Sequence, residues 1–565
     1  MAKAGHVYPQ VEPGAAALMD RRIVRGAPGL RVGAAQAAAA HAGAHALALG
    51  PRVAVRHAEL MRAVRWGLPG LRAFEMAWHE LPEVTPDTPE IAVRRLVLAG
   101  AGLILVRHGG RLVGFVDGRA ATWARPALSV AHRLEHPPDA GRETLVWLLR
   151  LAGKLGEAMG VAVWAAGGFV RDLLRDTGPL DVDLVVEGDG PAFARRLAEE
   201  VRGQATVHAV FGTASVEGGR TVDGQPLPRV DVASARRERY AGPGALPAVE
   251  SAPLGEDLLR RDFTVNAMAI ALGPAVFGRL VDGAGGQRDL DRRTLVPLHP
   301  LSFVEDPTRV FRAARYAARL GFHLDASGRR ALRLALGVRA YPTLSGQRLL
   351  AELGLILREP TAWGALALLL QWRALGLWDR AYRTRPRTRE RLRAARRLLA
   401  WGRGADLGVE PLEVALLALL VDQPPSVARR CLQRLALGGG RGARLAAAPA
   451  AGRRLAARLA APRLAPSRVA AAAREGTAET VVAAWLLGTG RTRRRLQWYL
   501  REGRHVQPAM SAAQLIATGV PRGPAVGQWL RNLRDLALDG RVGSLADEER
   551  FVKRLMARHP KGEPT

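Results

Sequence analysis

The residues best equipped for chemistry lie between Ala166 and Glu187, in the run AGGFVRDLLRDTGPLDVDLVVE. Asp181 and Asp183 stand one residue apart at the start of an apolar stretch, Leu184-Val185-Val186. On a strand, residues two apart point to the same face, so the two carboxylates converge on one point. Carboxylates that close repel unless a cation sits between them, and Mg²⁺ prefers oxygen ligands shared with a substrate phosphate. Such a pair suits one-metal or two-metal phosphoryl transfer. An exposed Asp-Xaa-Asp turn without chemistry is the alternative that these two residues alone leave open. Upstream, Gly167 and Gly168 end a strand-like run and precede a helix-like segment, where a bare backbone approaches phosphate oxygens closely. Arg171 falls early in that helix and adds positive charge to the same place.

Three further groups extend the set. Asp231, in Arg229-Val230-Asp231-Val232-Ala233, puts a third carboxylate on a strand, or else caps the next segment; ARRERY (Ala235 to Tyr240) follows. Arg260 to Ala269 reads RRDFTVNAMA, and on a helix Asp262 and Asn266 would share a face at i and i+4. Asp262 as a helix cap is compatible with that. Glu305-Asp306-Pro307-Thr308-Arg309 opens a helical stretch in which Arg309, Arg312 and Arg315 recur on one stripe, with Arg319 close to it.

The elements that must carry these groups are legible in outline. Arg142 to Gly160 has the period of an amphipathic helix, Val161 to Ala166 that of a buried strand, and strand-like and helix-like runs alternate to about Leu298. Beyond Pro300 the pattern is helical, with no convincing strand. Leu435 to Glu475 is nearly pure Ala, Arg, Gly, Leu and Pro, which predicts a loosely packed stretch or linker. Val32 to Pro51 is uncharged but Ala-rich, broken by Gln, His, Gly and Pro, and reads as soluble rather than membrane-spanning.

Taken together, GGxVRD followed by DxD at this spacing, then RRDFTxNAMA and EDxxR, resembles the class II tRNA nucleotidyltransferase and bacterial poly(A) polymerase family. Its head is a polymerase-β-like nucleotidyltransferase fold. The resemblance spans about residues 145–550 and is strongest from 166 to 320. It implies Asp181 and Asp183 as catalytic Mg²⁺ ligands, and Asp231 as a third carboxylate that completes the metal site or takes the primer proton. Nucleotide binding by Gly167, Gly168, Arg171, Asp172, Arg261, Asp262, Asn266 and Arg312 is implied likewise, with Asp306 and Arg309 reading the base edge of ATP or CTP. Phe211-Gly212-Thr213-Ala214 also matches, and Ala241 to Glu256 corresponds to the family's mobile loop. Leu515 to Arg541 is similar to its C-terminal tail.

A second resemblance lies at the N-terminus. Residues 82–116 run turn, helix, strand, hairpin, strand, and residues 23–65 repeat that order in degraded form. The pattern resembles a pair of CBS domains, modules that often bind adenine nucleotides. Ala120 stands where such modules often carry a ribose-binding Asp, so ligand binding or a purely structural, dimerising role are the alternatives.

Composition agrees with a polyanionic partner. The 565 residues carry 83 basic and 52 acidic side chains, a net of +31, and only four of the basic ones are lysine. From Arg380 onward 36 basic residues face 14 acidic ones, a net of +22. An asymmetric positive field favours nucleic acid; the preference for Arg over Lys is explained by codon bias. Arg491 to Arg495 with Trp498 combines charge and stacking surface, marking Arg493, Arg494, Arg495 and Trp498 as RNA contacts or as a solvated helix with core aromatics. Arg383 to Arg393 alternate in a spacing that suits a basic loop or mixed surface. A lone Cys431 excludes an intrachain disulfide, and no signal-peptide core is present, so the chain is expected in the cytoplasm.

The expectation is therefore a multidomain α+β protein. A CBS-like α/β pair occupies 18–125, a nucleotidyltransferase head 145–298, a helical neck 299–375 and a tRNA-binding body and tail 376–565. Adding CCA, adding only its terminal A (or only CC) and polyadenylation share these motifs. A dead transferase head on a nucleotide-sensing CBS protein is the non-enzyme alternative. Partners would be tRNA, ATP and CTP, with no membrane, and a dimer through the CBS-like region.

Overall fold

The computed structural model describes residues 14–98, 101–118, 130, 131, 134, 140–177, 181–208, 212–338, 341–402, 406–438 and 440–558. Ala120 and Phe211 lie outside the described residues. The chain divides into two compact units, Met1–Leu344 and Ser345–Thr565. It is a mixed α+β protein whose second unit is helical.

The first unit is built on a seven-stranded sheet, in the order Leu280–Val281, Ala269–Ala271, Ala162–Ala166, Val182–Glu187, Val230–Ser234, Thr213–Glu217 and Gln204–His208. Val182–Glu187 lies near the middle, antiparallel to Ala162–Ala166 and parallel to Val230–Ser234. Leu184, Val185 and Val186 are all buried, because layers cover both faces of this strand. Helix Ala140–Ala158 and helix Gly190–Glu200 supply one layer through Leu145, Leu148, Leu149, Phe193 and Leu197. Leu254 and Leu258 pack on the opposite side with Val185 and Ala269.

Two small sheets precede this one. Ile23–Arg25 pairs parallel with Ala46–Gly50, which pairs antiparallel with Val53–Arg56. Glu83–Val84, Leu103–His108 and Arg111–Asp117 repeat that parallel-then-antiparallel arrangement. Helices Val32–His41 and Glu90–Leu98 occupy equivalent places in the two copies. The uncharged run Val32 to Pro51 is thus a short helix and a strand, and no described helix is long and apolar enough to cross a membrane.

The linker expected over 435–475 is instead packed structure. Arg441–Ala460 and Pro466–Arg474 are helices, with Leu445, Ala448, Pro449, Gly452, Leu455 and Leu459 buried. A methyl group placed on Gly452 would sit 2.6 Å from the Ala483 Cβ. The small residues let two helix backbones approach closely, a packing mode that composition alone reads as low complexity. Past Pro300 one strand does occur among the described residues: His323–Leu324 pairs with Thr294–Leu295.

Candidate active site

The sheet explains how the carboxylates meet. Asp183 is in register with Asp231 on the adjacent parallel strand, so both side chains leave the same face. Asp181 precedes Asp183 by two residues at the strand entrance and is exposed. Burial pushes the Asp183 carboxyl up to about 6; Arg261 opposes the shift, while Asp231 and Asp181 reinforce it. Arg229 grips Asp231 through Nε at 3.0 Å and Nη2 at 2.9 Å, and also reaches Glu217. Among the described residues no group of three or more His, Cys, Asp or Glu side chains is preassembled as a metal cage.

Gly167 forms the other wall. Its φ of +74° is a left-handed conformation, and a Cβ there would lie 2.5 Å from Arg261 Nη1 and 3.7 Å from Asp183 Oδ2. Only a residue without a side chain lets the turn, the guanidinium and the carboxylate share this corner. Gly167→Ala is expected to lower activity about a hundredfold by displacing Arg261 and straining the turn. Steady-state kinetics alongside a thermal melt would check this, the melt separating site disruption from unfolding.

Residues 260–269 do not form the helix that the i, i+4 spacing suggested. Helix Leu254–Leu259 ends, Phe263 is extended (φ −134°, ψ 152°), Thr264–Asn266 make a 3₁₀ turn and Ala269–Ala271 joins the sheet. The Thr264 amide donates to the Val296 carbonyl at 2.9 Å, which pulls the segment out of helical geometry. Asp262 and Asn266 still meet, since Asn266 Nδ2 donates to Asp262 Oδ1 at 2.9 Å.

A buried polar chain runs from there beneath the glycine turn. Asn266 Oδ1 accepts from Arg171 Nη1 at 2.6 Å, and Arg171 pairs with Asp172 at 2.6 and 2.9 Å. At the other end Arg312 donates to Asp262 Oδ2 at 2.8 Å and to the Tyr316 hydroxyl at 3.0 Å. Burial alone would raise the Asp262 carboxyl, but Arg312 and Asn266 hold it below its ordinary range. Arg171, Arg312 and Arg315 all lie over the Tyr316 ring, 4.8 to 5.5 Å from its centre. Arg319 reaches Asp172 at 3.2 Å. Arg171 is therefore a buried support beneath the turn, its charge matched by Asp172.

Asp306 and Arg309 flank the start of helix Thr308–Leu320. Asp306 Oδ1 accepts from the Thr308 amide and hydroxyl at 3.0 and 2.7 Å. Arg309 is buried and donates to Ser302 Oγ and the Arg260 carbonyl, both at 2.8 Å. It also contacts the Tyr240 hydroxyl, which donates to Glu238. The segment expected as a mobile loop, 241–256, is partly ordered: Pro247–Ser251 pairs with Arg236–Tyr240 as a hairpin.

Asp257 escaped the sequence reading. Fully buried, it accepts from Arg260 at 2.6 Å and from Arg261 at 3.0 Å, and so aims Arg261 at Gly167. Burial acts to raise its carboxyl, yet Arg261 and Arg260 outweigh that and hold it low. Its spacing of three and four residues before two arginines was the available signal.

In the second unit, Arg493 donates to the Trp485 carbonyl and Arg495 to those of Leu459 and Ala461, closing the end of helix Arg441–Ala460. Arg494 is exposed and Trp498 half-buried. Arg391 pairs with Asp422 and the Leu486 carbonyl, so the alternating arginines are split between turn and helix.

Residues 163–296 match the family model described as the poly A polymerase head domain. An A-adding tRNA nucleotidyltransferase of Geobacter sulfurreducens is 32% identical over 533 residues, covering 87% of this chain and 58% of its own length. A CC-adding tRNA nucleotidyltransferase of Deinococcus radiodurans is 33% identical, with 74% of this chain and 94% of that protein covered. The chain belongs to the class II tRNA nucleotidyltransferase family. Solved members of this family share the fold. The apo form II of a CCA-adding enzyme superposes with a TM-score of 0.67 at 28% identity, over 77% of this chain and all of that one. The Thermotoga maritima CCA-adding enzyme complexed with tRNA gives 0.60 at 27%, over 76% and 100%. The chain spans little more than half the length of its Geobacter relative.

Proposed function

We propose that the protein is a template-independent RNA nucleotidyltransferase that adds CCA, or its terminal A, to the 3′ end of tRNA. The observation that carries this is the convergence of Asp183, Asp231, Arg261 and Gly167 on one face of the sheet. The A-adding relative matches 87% of the chain, further than the CC-adding one at 74%, which favours terminal A.

In this reading Asp181 and Asp183 would hold Mg²⁺; two hard oxygen donors at an open position, one of them unwilling to ionise alone, fit that ion's habit of sharing its shell with water and phosphate. Held by these two carboxylates, such an ion would supply charge neutralisation for the triphosphate and a lowered pKa for the attacking hydroxyl. Asp231 completes the carboxylate set or accepts the hydroxyl proton. Gly167 and Gly168 admit the phosphates, and Arg261 binds their oxygens. Asp262 and Asn266, fixed by Arg171 and Arg312, hold the ribose, with Asp172 completing the support. Asp306 and Arg309 read the base edge, Arg offering fixed donors and Asp acceptors. The tRNA 3′-hydroxyl attacks the α-phosphate, the bond to the β-phosphate oxygen breaks, and pyrophosphate leaves. Positioning and charge neutralisation supply most of the acceleration.

The 18–125 region acts as a CBS-like pair through which the protein dimerises, 145–298 as the catalytic head, 299–375 as the neck, and 376–565, including Arg494 and Trp498, as a cytoplasmic tRNA holder. The test uses three tRNAs, ending before CCA, after C and after CC, each with ATP, CTP or both. Extension of only the CC-ended tRNA by one A supports A addition; growth of a long A tail would mark a poly(A) polymerase.

A pH signature follows from Asp183. Its pKa is raised in the folded chain, so below about 6 it keeps a proton that must leave before a cation binds. Mg²⁺ affinity should fall about tenfold per unit below that pH and level off above it. By the same sign, the apo protein's stability from this group is present at low pH and lost as pH rises through about 6. Calorimetric Mg²⁺ titrations across that range would check it; pH-independent affinity would contradict it.

A further inference from the structure

Glu305 is a junction of three parts of the first unit. Its backbone carbonyl accepts from the Gly244 amide at 2.9 Å, in the loop of the Arg236–Ser251 hairpin. Its buried carboxylate faces His299 Nε2 at 2.9 Å and the Arg62 guanidinium, which comes from helix His57–Arg65 in the N-terminal region. Trp66, just after that helix, donates from Nε1 to the Tyr240 carbonyl at 3.3 Å. The N-terminal region therefore touches both neighbours of the base-reading pair: Glu305 beside Asp306, and Tyr240 beside Arg309.

We infer that Arg62 is a positioning residue for nucleotide selection, holding Glu305 so that Arg309 stays directed by Ser302 and Tyr240. The inference rests on the transferase reading above. Its physical basis is competition for a cation. Arg309 Nη1 lies 3.9 Å from Glu305 and 2.8 Å from Ser302 Oγ. A buried carboxylate that loses a partner draws more strongly on those that remain, here His299 at 2.9 Å and Arg309 at 3.9 Å, because leaving it undercompensated is costly. Without Arg62, Glu305 draws Arg309 out of its setting, and a base reader so displaced binds nucleotide more weakly and sorts ATP from CTP less well. The N-terminal region thereby acts on nucleotide choice without contributing a group to the reaction.

The experiment compares Arg62→Ala, Arg62→Lys, Glu305→Gln and the Arg62→Ala/Glu305→Gln pair with the wild-type full chain on CC-ended tRNA, reading kcat and KM for ATP and CTP, and the thermal midpoint. Arg62→Ala should raise the nucleotide KM about tenfold with kcat within about threefold, and narrow the ATP-to-CTP preference. Arg62→Lys should restore most of both. In the Glu305→Gln background, Arg62→Ala should change nothing further, since the competing charge is gone. Unchanged KM and preference in Arg62→Ala would overturn the inference, as would a uniform loss of kcat and thermal midpoint without rescue by lysine. A wild-type chain that extends none of the three tRNAs overturns the transferase reading itself.

Discussion

Asp183→Ala is expected to abolish nucleotide incorporation, by at least about a thousandfold, with tRNA affinity within about twofold of wild type. The proton affinity of Asp183 is raised, by burial first and by Asp231 and Asp181 next. Replacing it removes the carboxylate beside Gly167, whose Oδ2 lies 3.7 Å from where a Cβ there would stand and where the triphosphate is proposed to sit. The cost to folding should be nil or negative. A carboxyl with a raised pKa opposes folding near neutral pH, so the variant should melt at or above the wild-type temperature. A thousandfold loss with an unlowered melting point is the signature of a functional rather than structural carboxylate. Single-turnover incorporation, filter binding of tRNA and a thermal melt decide it.

Asp257→Ala should fail differently. Asp257 is fully buried between Arg260 and Arg261, whose side chains are both less than a fifth exposed. Losing the shared carboxylate leaves Arg260 with Glu238 at 2.9 Å and Arg261 with a long bond to the Asn266 carbonyl, which costs about 3 kcal/mol after allowance for their solvent contact. Arg261 also loses what aims it at Gly167, so activity falls with stability. Denaturant midpoints should drop for Asp257→Ala, and conservative Asp257→Asn should recover shape without recovering the midpoint. A midpoint equal to wild type would show that the arginines find other partners.

These two residues also mark what the chain revealed before its fold. Asp183 was legible because period-two spacing on an apolar run is a local signal. Asp257 was not singled out, although its i+3 and i+4 arginines were visible, because nothing local showed that the helix end would be buried. The segment 260–269 was recognisable as a motif but misread as a helix. Its Thr264 amide is claimed by Val296, thirty-two residues away, and periodicity carries no information about such a partner. Arg441–Ala460 was missed for another reason: Ala and Gly there serve close helix contact rather than flexibility. Arg62 has no local signature, since its partner lies 243 residues on. The arginine excess proved heterogeneous. Arg171 and Arg312 are consumed by the buried network and Arg495 by helix-end carbonyls, while Arg494 stays exposed.

The most direct measurement pairs product and by-product. The full chain, a CC-ended tRNA, α-labelled ATP and Mg²⁺ should give one labelled AMP per tRNA and one pyrophosphate per AMP, both eliminated by EDTA and by Asp183→Ala. Pyrophosphate release with no label on the tRNA, or undiminished labelling by Asp183→Ala, would contradict the account.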